Sequence, residues 1–268
     1  MKIRIIIIAI ISTGTFVLLK ALIEPLLLFD LPFRAPFRFI LDGLAELFIA
    51  TIIVFIFSYL LKDKKLLRNL FVGKSLRLFI WGAVVGLISI LAGSLILYLM
   101  GSISFTESDF MLTYLLAFFV FFLLAAVTEE LFFRGFIQNQ FAKTCNKYLA
   151  VLFGSVLFTL IHIFNADISF ISFFNIFLAG YLLGLMYLYK NNLWLPIGFH
   201  ALWNISQSFI GFDVSGGGMP SVLTIKYLTN NTLVTGGDFG FEGSVVCTSI
   251  LILLIFLVYY KTQKRVYA

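Results

Sequence analysis

Charge is scarce in this chain of 268 residues: Asp, Glu, Lys and Arg together make up 12% of it. Soluble domains carry about 25%. With 61% hydrophobic residues and a mean hydropathy of +1.06, a soluble fold is excluded. Strict apolar–polar alternation is missing as well. The apolar runs continue for roughly 18–23 residues, which selects helices over a transmembrane barrel. Cysteine occurs twice, at Cys145 in a short connection and Cys247 inside an apolar run, so no disulfide framework is expected. Histidine also occurs only twice. No repeat period, low-complexity tract or soluble domain interrupts the pattern. The expected fold is therefore all-α, a polytopic helical bundle forming a single transmembrane domain over 1–268, in which each helix satisfies its own backbone in lipid.

The runs predict about eight transmembrane helices, at 3–23, 39–61, 78–100, 111–137, 148–164, 169–189, 193–212 and 244–260. Lys2 and Arg4 precede the first run, but no small-residue cleavage site follows it, so it is expected to be a retained span. Placing the N-terminus in the cytoplasm gathers 14 of the 19 basic residues on the cytoplasmic side. They are Lys2, Arg4, Lys62, Lys64, Lys65, Arg68, Lys74, Arg77, Lys143, Lys147, Lys190, Lys261, Lys264 and Arg265. Arg34, Arg38 and Lys226 fall outside. This is the positive-inside pattern, with both termini cytoplasmic. It also accounts for the net charge of +6 without any nucleic-acid partner. The longest connection, 213–243, contains GGG at 216–218 and is expected to be irregular and external.

Several ionisable groups fall within the spans, where a charge at the bilayer centre costs roughly 2.5–3.5 kcal/mol on insertion scales. Lys20, near the outer end of the first span, is expected to snorkel toward the headgroups. Asp42 and Glu46 lie one turn apart near the outer end of the second, either solvated or paired with Lys20 or an arginine of the first loop. In the stretch AAVTEELFFRGF at 125–136, Glu130 and Arg134 share a helix face and can pair. Glu129 is rotated by about 100° from Glu130 and is left to face something else. If the helix runs to about residue 138, Glu129 lies about 14 Å from that end, near the middle of a hydrocarbon core about 30 Å thick. His200 reaches a similar depth, and Asn204 lies one turn beyond it on the same face. His162 comes out deeper by several ångströms.

A carboxylate and an imidazole can together orient and deprotonate a water. A second imidazole and an amide suit a developing oxyanion. That is chemistry for amide hydrolysis. A zinc site of Glu129, His162 and His200 is the alternative reading of the same residues. No HExxH is present and the ligands would come from three helices, so water activation without a cofactor ranks first. No GxSxG occurs and neither cysteine lies in a motif, which leaves nucleophilic catalysis unsupported.

EELFFR at 129–134, FTLIH at 158–162 and HALWN at 200–204 match the patterns EExxxR, FxxxH and HxxxN. In that order on successive late spans, they resemble the CPBP family of intramembrane proteases, the CAAX-protease and bacteriocin-processing or Abi family. The resemblance covers a core at about 110–212. It implies that Glu129 and His162 activate water and that His200 and Asn204 stabilise the oxyanion. Glu130, Arg134 and Phe158 would support them. The substrate would be a membrane-associated peptide or protein, and lipid the surrounding partner. A composition rich in Phe, Ile and Lys suits a bacterial cell membrane and disfavours prenylated substrates. Two other classes fit a buried Glu–His set: a non-catalytic immunity or scaffolding protein, and a proton-coupled transporter. Intact motifs favour the protease over the former. The lack of paired repeats counts against the transporter.

Overall fold

A computed structural model describes residues 2–27, 35–63, 75–109, 112–218 and 221–266. Arg34, Lys64, Lys65, Arg68 and Lys74 of the basic set lie outside the described residues. Three long helices, α1 (Lys2–Leu27), α2 (Ala35–Leu60) and α3 (Ser75–Leu99), lead into a short strand, β1 (Ile103–Glu107). Next comes one continuous helical rod: α4 (Leu112–Glu129), a π-helical segment (Glu130–Gln138) and the short α5 (Asn139–Ala142). It is followed by α6 (Lys147–Leu160), α7 (Phe170–Lys190), α8 (Trp194–Ile210), β2 (Leu223–Tyr227), α9 (Thr232–Thr235) and α10 (Val245–Val266). Six of these helical stretches are long and apolar enough to cross a membrane: α1, α2, α3, the rod 112–142, α7 and α10. Their outward faces carry exposed Ile10, Phe55, Trp81, Leu95 and Phe256, an apolar surface far beyond that of a soluble monomer. The protein is a multi-pass integral membrane protein.

The expected spans 148–164 and 193–212 are shorter than the runs that suggested them. They form helices of 14 and 17 residues, about 21 and 25 Å long, against a core of about 30 Å. Local chemistry sets these limits. Asn146 caps the start of α6 by accepting from the amides of Tyr148 and Leu149. The chain leaves the helix at Ile161 and reaches Asp167 in the left-handed region, at φ 53°. α8 ends at Gly211, whose φ of 105° suits glycine and stops the helix. These two shortened helices carry the motifs FTLIH and HALWN.

Close helix contact in this bundle depends on glycine. A Cβ on Gly82 would lie 2.0 Å from the Leu195 carbonyl oxygen, and one on Gly198 would lie 2.1 Å from that of Phe79. Only glycine permits α3 and α8 to approach so nearly, the small-residue packing that replaces the hydrophobic effect in lipid. On α7, a Cβ on Gly184 would lie 2.8 Å from Gln138 Oε1 of the π segment, and one on Gly180 would lie 3.1 Å from Phe158 of α6.

The connections sort to two ends of the bundle. At one end, Arg4 donates to the Leu60 carbonyl, Asp63 pairs with Lys143, and Gln263 Nε2 donates to Tyr148 Oη. Lys62, Arg77, Lys147, Lys190, Lys261 and Lys264 lie in the same connections and helix ends. The opposite end holds β1 paired antiparallel with β2, in the register Ile103↔Tyr227 to Glu107↔Leu223. It carries Glu107, Asp109, Asp167, Asp213 and Asp238. Connection 213–243 is thus more ordered than expected, because the alternating segment LTIKY finds a strand partner more than a hundred residues away. Strands this short leave no mark on a hydropathy profile. Lys20 and Glu46 form a 2.8 Å ion pair, and Asp42 lies 3.9 Å from Arg38 on its own helix. Cys145 and Cys247 are free thiols.

Candidate active site

The rod changes its hydrogen-bonding register in the motif. It is α-helical to Glu129 and π-helical from Glu130 to Gln138, so the single α-helix assumed for 111–137 is corrected, and the rod continues to Ala142. π segments are rare and concentrate at functional sites. Their wider turns leave carbonyls to be satisfied, and Asn139 Nδ2 donates to those of Arg134 and Gly135. All nine residues of the π segment are buried. Two of its polar side chains reach carbonyls on α7: Arg134 Nη2 donates to Gly180 at 3.0 Å and Gln138 Nε2 to Gly184 at 3.1 Å.

Glu130 and Arg134 pair at 2.7 Å, with 0% and 2% of their side chains exposed. A buried ion pair is tolerated only when its remaining hydrogen bonds are well made. Here the guanidinium is further held by the Gly180 carbonyl and by the Phe158 ring, 4.4 Å below its Cζ. Glu130 Oε1 also accepts from His200 Nδ1 at 3.0 Å. The ring's other nitrogen, Nε2, lies 3.7 Å from Glu129 Oε2. His200 thus stands between the two adjacent carboxylates, a link that helical spacing alone does not reveal.

Glu129, His162, His200 and Asn204 line one cavity of about 340 Å³. The Glu129 side chain is 17% exposed into it, unlike that of Glu130. His162 lies just beyond the end of α6 rather than inside a helix. Its Nδ1 donates to the Phe158 carbonyl at 2.7 Å, since a carbonyl only accepts, and this leaves Nε2 with its lone pair. Phe158 packs on the His162 ring at 4.7 Å and stands 6.4 Å from that of His200. It is the hub between Arg134 and both imidazoles.

The cavity extends from His200 past Trp203 and Asn204 to Asn165, Ala166 and 214–217. Its lining therefore reaches the acidic end of the bundle. Glu242 reaches the same cavity from a connection expected to lie outside. Its Oε1 accepts from Trp203 Nε1 at 3.0 Å and Gln207 Nε2 at 3.2 Å, and Ser215 Oγ donates to its Oε2 at 2.7 Å. No local sequence signal marks Glu242, because its partners lie 27 to 39 residues away. Among the described residues no group of three or more His, Cys, Asp or Glu side chains converges as a metal site. In the alternative zinc set of Glu129, His162 and His200, both Nδ1 atoms are bonded within the protein, so Nε2 is the ring nitrogen each imidazole would offer a metal.

Residues 111–206 match the family model described as type II CAAX prenyl endopeptidase Rce1-like. That segment is similar to the Rce1-like family. All three motifs fall within the matched segment, which coincides with the rod, α6, α7 and most of α8. The matched model describes CAAX-type endopeptidases, and the segment similar to it sits within the membrane bundle. No curated protein matches the chain.

Proposed function

We propose that the chain acts as one membrane domain and is an intramembrane endopeptidase of glutamic type that hydrolyses a membrane-associated peptide or protein. The observation that carries this reading is the convergence of Glu129, His162, His200 and Asn204 on one cavity within the Rce1-like segment. Glu129 is the general base. A water held between its carboxylate and His162 Nε2 gives up a proton to Glu129 as its oxygen attacks the scissile carbonyl carbon. The oxyanion accepts from Asn204 Nδ2 and from His200 Nε2–H in the protonated ring, which Glu130 holds from behind. On collapse the C–N bond breaks, and Glu129 returns the proton to the leaving amine. Arg134 and Phe158 fix Glu130 and the two imidazoles.

The positive-inside rule assigns the basic end to the cytoplasm. The cavity lining reaches the other end, at Asn165, Ala166 and 214–217, which supports entry of the substrate from the non-cytoplasmic side. The test is cleavage of a membrane-tethered peptide library by purified protein in liposomes, with products identified by mass spectrometry. Right-side-out and inverted vesicles supply the second arm. Cleavage that is abolished in Asn204→Ala and confined to peptides on the non-cytoplasmic face supports the reading. Absence of any product, or equal cleavage by Asn204→Ala, overturns the mechanism. Cleavage confined to the cytoplasmic face overturns the side of entry alone.

A further inference from the structure

A second hollow, of about 650 Å³, lies between α3, α7, α8 and α10 at the basic end of the bundle and shares no lining residue with the catalytic cavity. α3 packs mainly on α8 and α10 mainly on α7, which leaves a groove between them open to the lipid side. Three helix ends meet at its top, each with a cation: Arg77 at the start of α3, Lys190 at the end of α7 and Lys261 near the end of α10. No carboxylate lines the groove among the described residues, and none of the ion pairs found among them uses these three cations. Lys190 leans on the Tyr189 ring at 4.1 Å, which also lines the hollow.

Below the cations the walls are apolar. Trp81 and Val85 on α3 face Leu254, Leu257 and Val258 on α10, with Met186 of α7 between. From Arg77 to Val85, and from Lys261 back to Leu254, the helices descend by about 12 and 10 Å. Three positive charges at the depth of the headgroups therefore stand over an apolar trough that runs toward the membrane interior. An amphiphile with an anionic head and an acyl chain matches both halves. Free phosphate would leave the trough, with its 58% exposed Trp81, without an occupant.

We propose that this groove binds an acidic phospholipid of the cytoplasmic leaflet, with its phosphate among Arg77, Lys190 and Lys261 and one acyl chain against Trp81 and Leu257. Basic pockets between transmembrane helices on the cytoplasmic side are suited to such headgroups, and each Lys or Arg near an anionic surface contributes about 1 kcal/mol, a factor of about five. The test is native mass spectrometry of the full chain in detergent, titrated with phosphatidylglycerol or with phosphatidylcholine of the same acyl chains. The expected result is stronger retention of phosphatidylglycerol, weakened about fivefold in each of Arg77→Gln, Lys190→Gln and Lys261→Gln. Lys264→Gln, which removes a cation outside the groove, leaves retention unchanged. Leu257→Trp, which narrows the trough but keeps every charge, also weakens it, and thermal unfolding confirms that each variant is folded. Equal retention of the two lipids, an equal loss in Lys264→Gln, or displacement by millimolar inorganic phosphate overturns the proposal.

Discussion

Replacing Arg134 by methionine removes the guanidinium paired with Glu130 and leaves the carboxylate enclosed with only the His200 imidazole beside it. The Glu130 side chain is 0% exposed, its Oε1 faces Arg134 at 2.7 Å, and its Oε2 has no hydrogen-bond partner within the protein. The exchange also deprives the Gly180 carbonyl of its donor and takes the guanidinium off the Phe158 ring. Breaking a buried pair by removing one partner costs about 3–5 kcal/mol, because the other charge stays buried without compensation. At about 1.4 kcal/mol per tenfold, that raises the unfolding equilibrium constant by a factor of roughly 100 to 4,000. Removing both charges in Glu130→Gln/Arg134→Met should recover about half the loss, since the enclosed carboxylate is then no longer charged. The assay is reversible unfolding in mixed micelles, read by tryptophan fluorescence, for the wild type, both single variants and the double variant. A cost below about 1 kcal/mol for Arg134→Met, or strictly additive single effects, would refute the buried-pair reasoning.

Further expectations concern the cavity wall, the helix contacts and strand β2. Glu242→Gln loses the carboxylate to which Trp203, Gln207 and Ser215 donate and should destabilise by about 1–3 kcal/mol; amide exchange at 214–217 should rise, and unchanged protection there would count against it. Gly82→Ala drives a methyl group toward the Leu195 carbonyl and should cost about 1–3 kcal/mol in the same unfolding assay. Tyr227 on β2 donates its hydroxyl to the Gly237 carbonyl, and burial, with Asp213 and Asp238 nearby, pushes its phenol up to about 12. Since the folded value lies above the unfolded value of about 10, its contribution is fully present below pH 10 and is lost as pH rises toward 12. Stability measured from pH 9 to 12 should fall less steeply in Tyr227→Phe than in the wild type.

The long apolar runs were legible because composition alone fixes a membrane helix, and six of them fold as helices able to cross. The pairing of Glu130 with Arg134 was legible from their spacing, which a π-helical turn still preserves. Three features were not. The π segment has no residue signature, so the rotation of Glu129 against Glu130 could not be drawn correctly past residue 129. α6 stops at Leu160 although the apolar run continues, because the chain turns at Ile161 toward Asn165, whose amide donates to the Ser215 carbonyl. His162, expected inside a span, therefore lies just beyond the end of α6. Glu242 joins the cavity through tertiary contacts to α8, and only the three-dimensional path of 213–243 brings it there.

Glu129→Gln tests the central claim most directly. The substitution keeps the size of the side chain and removes only its capacity to take a proton. General-base catalysis contributes roughly 10²–10⁴-fold. Single-turnover cleavage of the best liposome-tethered substrate should therefore slow by at least 100-fold, with thermal stability and substrate affinity unchanged and activity in the wild type insensitive to chelators. Cleavage by Glu129→Gln within tenfold of the wild-type rate would contradict the assignment of Glu129 as the base.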